Sequence, residues 1–358
     1  MLKLNLTKEE KTIIFIDSIS SLTYADKQKI FDEFENIYDI ISSKTAKETL
    51  NEILEKDKVD LIEKKKTKKY CDEILNGLEK RDIIPITFLD ERYPDDLKVI
   101  DTPPFVLYCK GNLDLLRKEK FSVVGSRKMP EYEMQVAERI VNTLSRKYVI
   151  VTGLAEGGDT SAIKGALPSK NVISVLAYGY DYVYPTLNKH LLEKVMGSGL
   201  VITEYFYDVK PTKYNFPIRN RIIAALSFGT LVVSAGNRSG ALITASKAIE
   251  YGKEVYAFPY GIGISAGEGC NKLIKDGAYL VTSADDVLAS SGDVYKEIDL
   301  SLDETNEMVY KLILEKELHF DDLVLKTGLD TDKLTATLTE LEIEGLILKT
   351  KGNYYKAF

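Results

Sequence analysis

Seven short apolar runs recur at residues 121–124, 148–152, 172–177, 200–203, 231–234, 254–258 and 279–281. Helix-length stretches fall between them at 131–145, 160–167, 188–196, 218–226 and 241–251. This alternation constrains the fold more than any other feature of the chain. The runs are continuous and rich in Val, Ile and Leu, the pattern of strands buried on both faces. Such strands, with helices between them, predict an α/β, Rossmann-like, doubly wound and mostly parallel sheet. In a sheet of that kind ligands bind beyond the carboxyl ends of the strands, where the following helices present free N–H groups.

The flanks read differently. Residues 1–81 predict a helical domain, with apolar residues at helical spacing (Ile30, Phe31, Phe34, Ile37, then Leu50, Ile53, Leu54, Leu61, Ile62). The basic run at Lys64, Lys65, Lys66, Lys68 and Lys69 reads as a solvated helix face. Residues 82–290 form the expected Rossmann-like domain. Its first part carries strands at 86–89 and 105–109, punctuated by Pro94, Pro103 and Pro104, as an extension leading into the main sheet. A polar linker is expected at 291–304, followed by a small domain at 305–358. There, helices at 307–317, 320–327 and 331–344 precede a hairpin, 346–349 and 354–356, around Gly352-Asn353. Three helices and a two-stranded wing describe a winged helix.

Composition narrows the chemistry. Cys71, Cys109 and Cys270 are odd in number and far apart, so neither disulfides nor a metal cluster is expected. No apolar run reaches membrane-spanning length and the N-terminus lacks a signal-peptide core, which predicts a cytoplasmic protein without membrane contact. A net charge of −7 argues against a surface that coats nucleic acid everywhere, while allowing a local basic site. No G-x-G-x-x-G follows the first strand of the alternating region, and no G-x-x-x-x-G-K-[ST] is present, so no nucleotide cofactor is expected. Gly263–Gly267 matches G-x-S-x-G, but the only histidines are His190 and His319, neither placed to serve as its base. It reads as a glycine-rich loop.

What remains is anion binding at one rim of the sheet. Gly125, Ser126 and Arg127 end the first strand of the alternating region. Gly153 ends the second, with Asp159 or Thr160 placed to cap the next helix. Lys213, Asn215, Phe216, Arg219, Asn220 and Arg221 surround the start of a later helix, and Ser239, Gly240 and Thr244 occupy another strand-to-helix turn. Cations beside aromatics suit single-stranded nucleic acid, with phosphates on Lys and Arg and bases stacked on rings. Arg219 or Arg221 has an alternative use, pairing with Asp159 or Glu204.

These residues fall in motifs that resemble the DprA/Smf DNA-processing family over nearly the whole chain. The motifs are GSR at 125–127, TGLAEGGDTSA at 152–162, YDYVYP at 180–185, NFPIRNRIIAALS at 215–227, SGALITASKAIEYGKEVYAFP at 239–259 and GCNKLIKDGA at 269–278. The upstream YPDDL and TPPFVLYCKG and the late LEIEGLI also fit. The resemblance implies an extended Rossmann domain that binds single-stranded DNA, a homodimer through that domain, and loading of RecA recombinase during natural transformation. It also implies contact with single-stranded-DNA-binding protein and no enzymatic activity. Its DNA pocket falls on Arg127, Lys213 and Phe216, with Arg219–Arg221 in the same motif. This chain departs from the family at Gly158 (usually Ile), Ile163 (usually His), Ser234 (usually Glu) and Pro259-Tyr260 (usually Pro-Gly). The loss of that His and Glu argues against a catalytic role at those two positions and leaves the phosphate ligands untouched. The first 80 residues match weakly, and both SAM-like and helix-hairpin-helix folds are compatible with them.

Two further expectations follow. The helix at 331–344 carries Asp332, Glu340, Glu342 and Glu344 against Lys333, the wrong charge for a major groove, so a protein-contact or dimer-modulating role is expected. The rival function is a Rossmann-like nucleotide-binding or nucleotide-cleaving enzyme. Its P-G-G-x-G-T-x-x-E pattern is absent from this sequence.

Overall fold

The computed structural model describes residues 4–290, 303–343 and 346–357. The chain divides into two compact units, Met1–Val287 and Leu288–Phe358. The linker expected at 291–304 lies outside the described residues except for its last two.

In the first unit, six helices precede the sheet: α1 (Lys8–Asp17), α2 (Tyr24–Glu33), α3 (Asp39–Ser42), α4 (Ala46–Ile53), α5 (Lys56–Lys65) and α6 (Lys68–Lys80). Thr7 with Glu10 and Thr23 with Asp26 form capping boxes that satisfy the first N–H groups of α1 and α2. The apolar face of α1 (Ile13, Ile14, Phe15, Ile16) buries with Ile30, Leu50, Ile62 and Leu78 against Tyr108 and Phe206 of the sheet region. A polar contact fixes the same seam: the Tyr108 hydroxyl donates to Asp17 at 2.7 Å, and Asp17 also pairs with Lys27 at 2.7 Å.

The sheet has nine strands: β1 (Ile84–Thr87), β2 (Val106–Gly111), β3 (Lys120–Gly125), β4 (Val149–Thr152), β5 (Val172–Leu176), β6 (Leu200–Thr203), β7 (Gly229–Ser234), β8 (Glu254–Ala257) and β9 (Tyr279–Leu280). Their order is β1-β2-β6-β5-β4-β3-β7-β8-β9. From β6 to β9 every pairing is parallel, and β2 and β1 add antiparallel beyond β6. This is the doubly wound sheet with its upstream extension, and Pro85 sits in edge strand β1, where a missing N–H costs least.

Connections run α7 (Asp95–Lys98) before β2, α8 (Glu131–Ser145) after β3, α9 (Gly158–Ala166) after β4 and α10 (Lys189–Ser198) after β5. After β6 comes α11 (Asn215–Ala225), after β7 α12 (Ala241–Glu250), after β8 α13 (Glu268–Lys275) and after β9 α14 (Asp285–Ser290). Strands β4 to β7 are buried along their whole length because helices cover both faces. At the centre of β3, Ser122 donates to the Ile223 carbonyl at 2.6 Å and lies 2.7 Å from the Ser227 hydroxyl, which ties α11 to the central strand. No described helix is long and apolar enough to cross a membrane.

The second unit contains α15 (Glu304–Glu315), β10 (Leu318–His319), α16 (Phe320–Thr327), α17 (Thr331–Ile343), β11 (Ile347–Lys349) and β12 (Tyr354–Ala357). Its core joins Val309, Ile313, Leu323, Leu334, Leu338, Leu341, Ile347 and Tyr355. The expected two-stranded wing is a three-stranded sheet, ordered β10-β12-β11. Leu318 and His319 pair antiparallel with Tyr355 and Tyr354, a contact too short in sequence to leave a periodic signal. Glu344, expected at the end of α17, lies outside the described residues.

Candidate nucleic-acid interface

The strand order reverses at β3, whose neighbours are β4 and β7. Crevices form at such a switch, beyond the carboxyl ends of the strands. Because β3 to β8 are parallel, the segments that follow them emerge on one rim.

Gly125 closes β3 against α9. A Cβ there would lie 2.8 Å from the Gly158 Cα and 2.8 Å from Val233. That approach lets the Gly158 N–H donate to the Ser126 carbonyl at 3.2 Å, while the Ser126 N–H donates to Ser234 at 2.8 Å. The Ser126 hydroxyl accepts from the Lys128 N–H at 3.2 Å. With Ser126 pinned on both sides, Arg127 is exposed beyond the strand.

Arg127 meets two rings. Its guanidinium carbon is 5.5 Å from the centre of Phe216 and 6.0 Å from that of Tyr184. The rings lie 5.5 Å apart, inclined at 57°. All three line one pocket, together with Leu154, Glu156, Tyr178 and Arg219. Tyr184 keeps 41% of its surface exposed, and Phe216 is half-buried at the start of α11. The first turn of α11 carries no acidic residue to occupy its free N–H groups.

Tyr184 is the site residue that single-sequence reasoning did not place. Its backbone is held by one hydroxyl: Tyr178 accepts from the Tyr184 N–H at 3.0 Å and donates to the Tyr184 carbonyl at 2.7 Å. A signal was present in the tyrosines at 178, 180, 182 and 184, directly after a strand. Tyr178 is buried while Tyr184 is exposed, and only the folded loop separates their roles.

The other expected residues divide into two groups. Lys213 is exposed, with its ammonium 5.1 Å from the ring of exposed Tyr214. Gly240 is exposed and Ser239 is partly so, its hydroxyl accepting from the Ala241 N–H at 3.3 Å. Asn215 holds the rim together: its amide donates to the Ala177 carbonyl at 3.0 Å and accepts from the Thr212 hydroxyl at 2.8 Å. Asn220 donates to the Gly240 carbonyl at 3.3 Å and accepts from Arg219 at 3.2 Å.

Arg221, Gly153 and Thr244 are buried and do not line the pocket, whereas Arg219 is buried too but forms part of its wall. Arg219 donates to the Val175 carbonyl and converges with the Asp159 carboxylate over Gly153, where a side chain would strike both groups. Burial raises the Asp159 carboxyl and lowers the Arg219 guanidinium, each partly offset by the other's charge. Arg221 pairs with Glu204 at 2.5 Å and donates to Thr102 at 3.0 Å. Arg221 therefore takes the carboxylate alternative that the sequence left open, while Arg219 lies beside Asp159 and bonds Val175 and Asn220. Thr244 is wholly buried in α12, with its hydroxyl unpaired.

Comparison with known proteins identifies the family. Residues 85–292 match the family described as DNA recombination-mediator protein A, and residues 298–353 match the DprA winged helix domain. The chain is 44% identical over 204 residues to the DNA processing protein DprA of Streptococcus pneumoniae, covering 57% of this chain and 72% of that one. It is 34% identical over 281 residues to protein Smf of Escherichia coli, covering 74% and 75%. The X-ray structure of the S. pneumoniae protein superposes with a TM-score of 0.66 at 35% identity, covering 80% of this chain and 98% of that one. DNA processing protein A of Helicobacter pylori, whose structure is described for its single-stranded DNA binding mode, superposes with a TM-score of 0.54 at 29% identity, covering 59% and 97%. With the family matched across the sheet and the winged helix alike, the chain belongs to the DprA/Smf family of DNA recombination-mediator proteins.

Proposed function

We propose that this chain binds single-stranded DNA along the rim of its parallel sheet and delivers a RecA-type recombinase to the bound strand, without covalent chemistry. The observation that carries the reading is the grouping of Arg127, Tyr184 and Phe216 around one pocket. A cation for phosphate and two partly exposed rings for bases are what a single strand requires, and a duplex keeps its bases out of reach of the rings. Exposed Lys213 adds a second cation just ahead of Phe216 in the chain. Membership in the recombination-mediator family supports delivery of a recombinase, and the single-stranded DNA binding mode of the H. pylori relative supports the ligand. In this reading the protein works as a homodimer through the Rossmann-like unit, where Ile243, Ile249 and Ile262 are exposed. It also meets single-stranded-DNA-binding protein on the same strands, in the cytoplasm.

The test is fluorescence anisotropy of a labelled oligonucleotide, single-stranded against duplex, across a salt series. The expected outcome is a preference for the single strand that weakens with salt at about 0.7 log units per engaged phosphate. Lys213→Glu should weaken every sequence alike, because phosphate contacts carry no sequence information. Absence of binding at low salt, or equal affinity of wild type and Lys213→Glu, would overturn the site.

A further inference from the structure

Two loops bring the site rings together: 177–185 carries Tyr184, and 204–214 leads to Phe216 with Lys213 on the way. Both are tied to Arg81, which caps α6 in the N-terminal helical region. Its guanidinium makes a two-pronged contact with Asp181, Nε to Oδ1 at 2.6 Å and Nη2 to Oδ2 at 2.8 Å. The same group stacks over the Tyr207 ring, 4.0 Å from its centre. The third nitrogen donates to the Gly77 carbonyl at 3.0 Å, and the Arg81 carbonyl accepts from Lys110 at 2.7 Å, so the side chain has little freedom of its own.

The loops meet directly beneath this group. The Asp181 N–H donates to the Tyr207 carbonyl at 2.9 Å and the Gly179 N–H to the Val209 carbonyl at 2.8 Å. Gly77 lies inside α6, where glycine is less favourable than alanine. The geometry supplies its reason: a Cβ there would stand 2.6 Å from the Tyr207 hydroxyl. Helix α6 is thus shaped to receive the ring on which Arg81 stacks.

We propose that Arg81 is a positioning residue for the DNA site. It staples the Tyr184 loop to the Lys213–Phe216 loop and so sets their spacing before a strand arrives. The proposal rests on the single-stranded DNA reading above and assigns to the N-terminal helices a part in that affinity. A fork onto a carboxylate combined with stacking is specific to arginine, so Lys cannot replace it fully. Holding both loops in the bound arrangement lowers the ordering cost of binding.

Asp181→Asn is the discriminating variant because electrostatics and positioning predict opposite signs. Removing a negative charge near a polyanion site should tighten binding by charge alone. Loss of the staple should weaken it, by roughly three- to tenfold, with the salt slope unchanged because no phosphate ligand is lost. The assay is anisotropy of a labelled oligothymidylate with the full chain, in parallel with hydrogen exchange of segments 177–185 and 204–214 without DNA. Arg81→Lys should fall between wild type and Asp181→Asn, and both segments should exchange faster in each variant. Equal or tighter binding by Asp181→Asn, or unchanged exchange in both segments, would overturn the proposal. If wild type itself fails to bind while exchange accelerates in the variants, the staple stands and the DNA reading falls. If wild type binds, Lys213→Glu weakens it and Asp181→Asn does not, the staple falls and the DNA reading stands.

Discussion

Replacing Tyr184 by Ala isolates the contribution of one ring. Stacking a base on an aromatic side chain contributes about 1–3 kcal/mol. Tyr184 keeps 41% of its surface exposed, and its inclination of 57° to Phe216 keeps the two rings from stacking flat on one another. Phe216 remains in the variant, so the loss belongs in the lower part of that range, about 1–2 kcal/mol. The fading of a 6.0 Å contact with Arg127 adds about 0.5 kcal/mol at most. The sum corresponds to a roughly 5- to 60-fold rise in Kd for a single-stranded oligonucleotide, at about 1.4 kcal/mol per decade. The loop should keep its course, because Tyr178 holds the Tyr184 backbone and not its ring. Tyr184→Phe should stay within about twofold of wild type, since the Tyr184 hydroxyl makes no hydrogen bond among the described residues. No cation is removed, so the dependence on salt should be unchanged. Anisotropy titrations of wild type, Tyr184→Ala and Tyr184→Phe at several salt concentrations measure all three quantities. A Tyr184→Ala protein that binds within twofold of wild type would refute the stacking role and with it the pocket as the place where bases sit.

The buried cations and carboxylates make separate predictions. Arg221→Ala leaves the Glu204 carboxylate buried without its partner, which costs about 3–5 kcal/mol, and should lower Tm by on the order of 10 °C. Differential scanning fluorimetry within 2 °C of wild type would show that the pair is dispensable. Burial acts to raise the carboxyls of Asp26, Asp90 and Asp286, but hydrogen bonds outweigh it and hold all three below the ordinary Asp value. Those bonds come from Thr23 and Lys58, from Arg92, and from the Thr282 and Ser283 N–H groups respectively. With folded values depressed, the stability they contribute is present above about pH 4 and lost as pH falls through the lower folded values. Tm should therefore hold from pH 7 to 5 and drop below pH 4. Asp26→Asn should start lower and lose less, and a parallel acid profile for that variant would exclude Asp26 from the effect.

Much of this molecule is readable one residue at a time. Glu131–Ser145 and Leu200–Thr203 fall where periodicity put them, and the β3 ending at Gly125–Arg127 sits on the rim that parallel topology requires. Such features depend on near neighbours in sequence and on which faces a strand must bury. The fate of each charge does not. Arg219 and Arg221 are two residues apart in one helix beside exposed Lys213, and nothing local separates a buried partner of Asp159 or Glu204 from a ligand for phosphate. Tyr178 and Tyr184 lie six residues apart and both line the pocket, yet one is buried and the other exposed. Arg81 lies 100 residues from Asp181 in sequence, and their fork exists only because α6 packs across the two rim loops. Alternation, glycine turns and the family motifs determined the sheet, its rim and the class of ligand to test. Tertiary structure alone decided which cations stay free, because burial and an opposing carboxylate are properties of the space around a side chain and leave no mark on its own stretch of sequence.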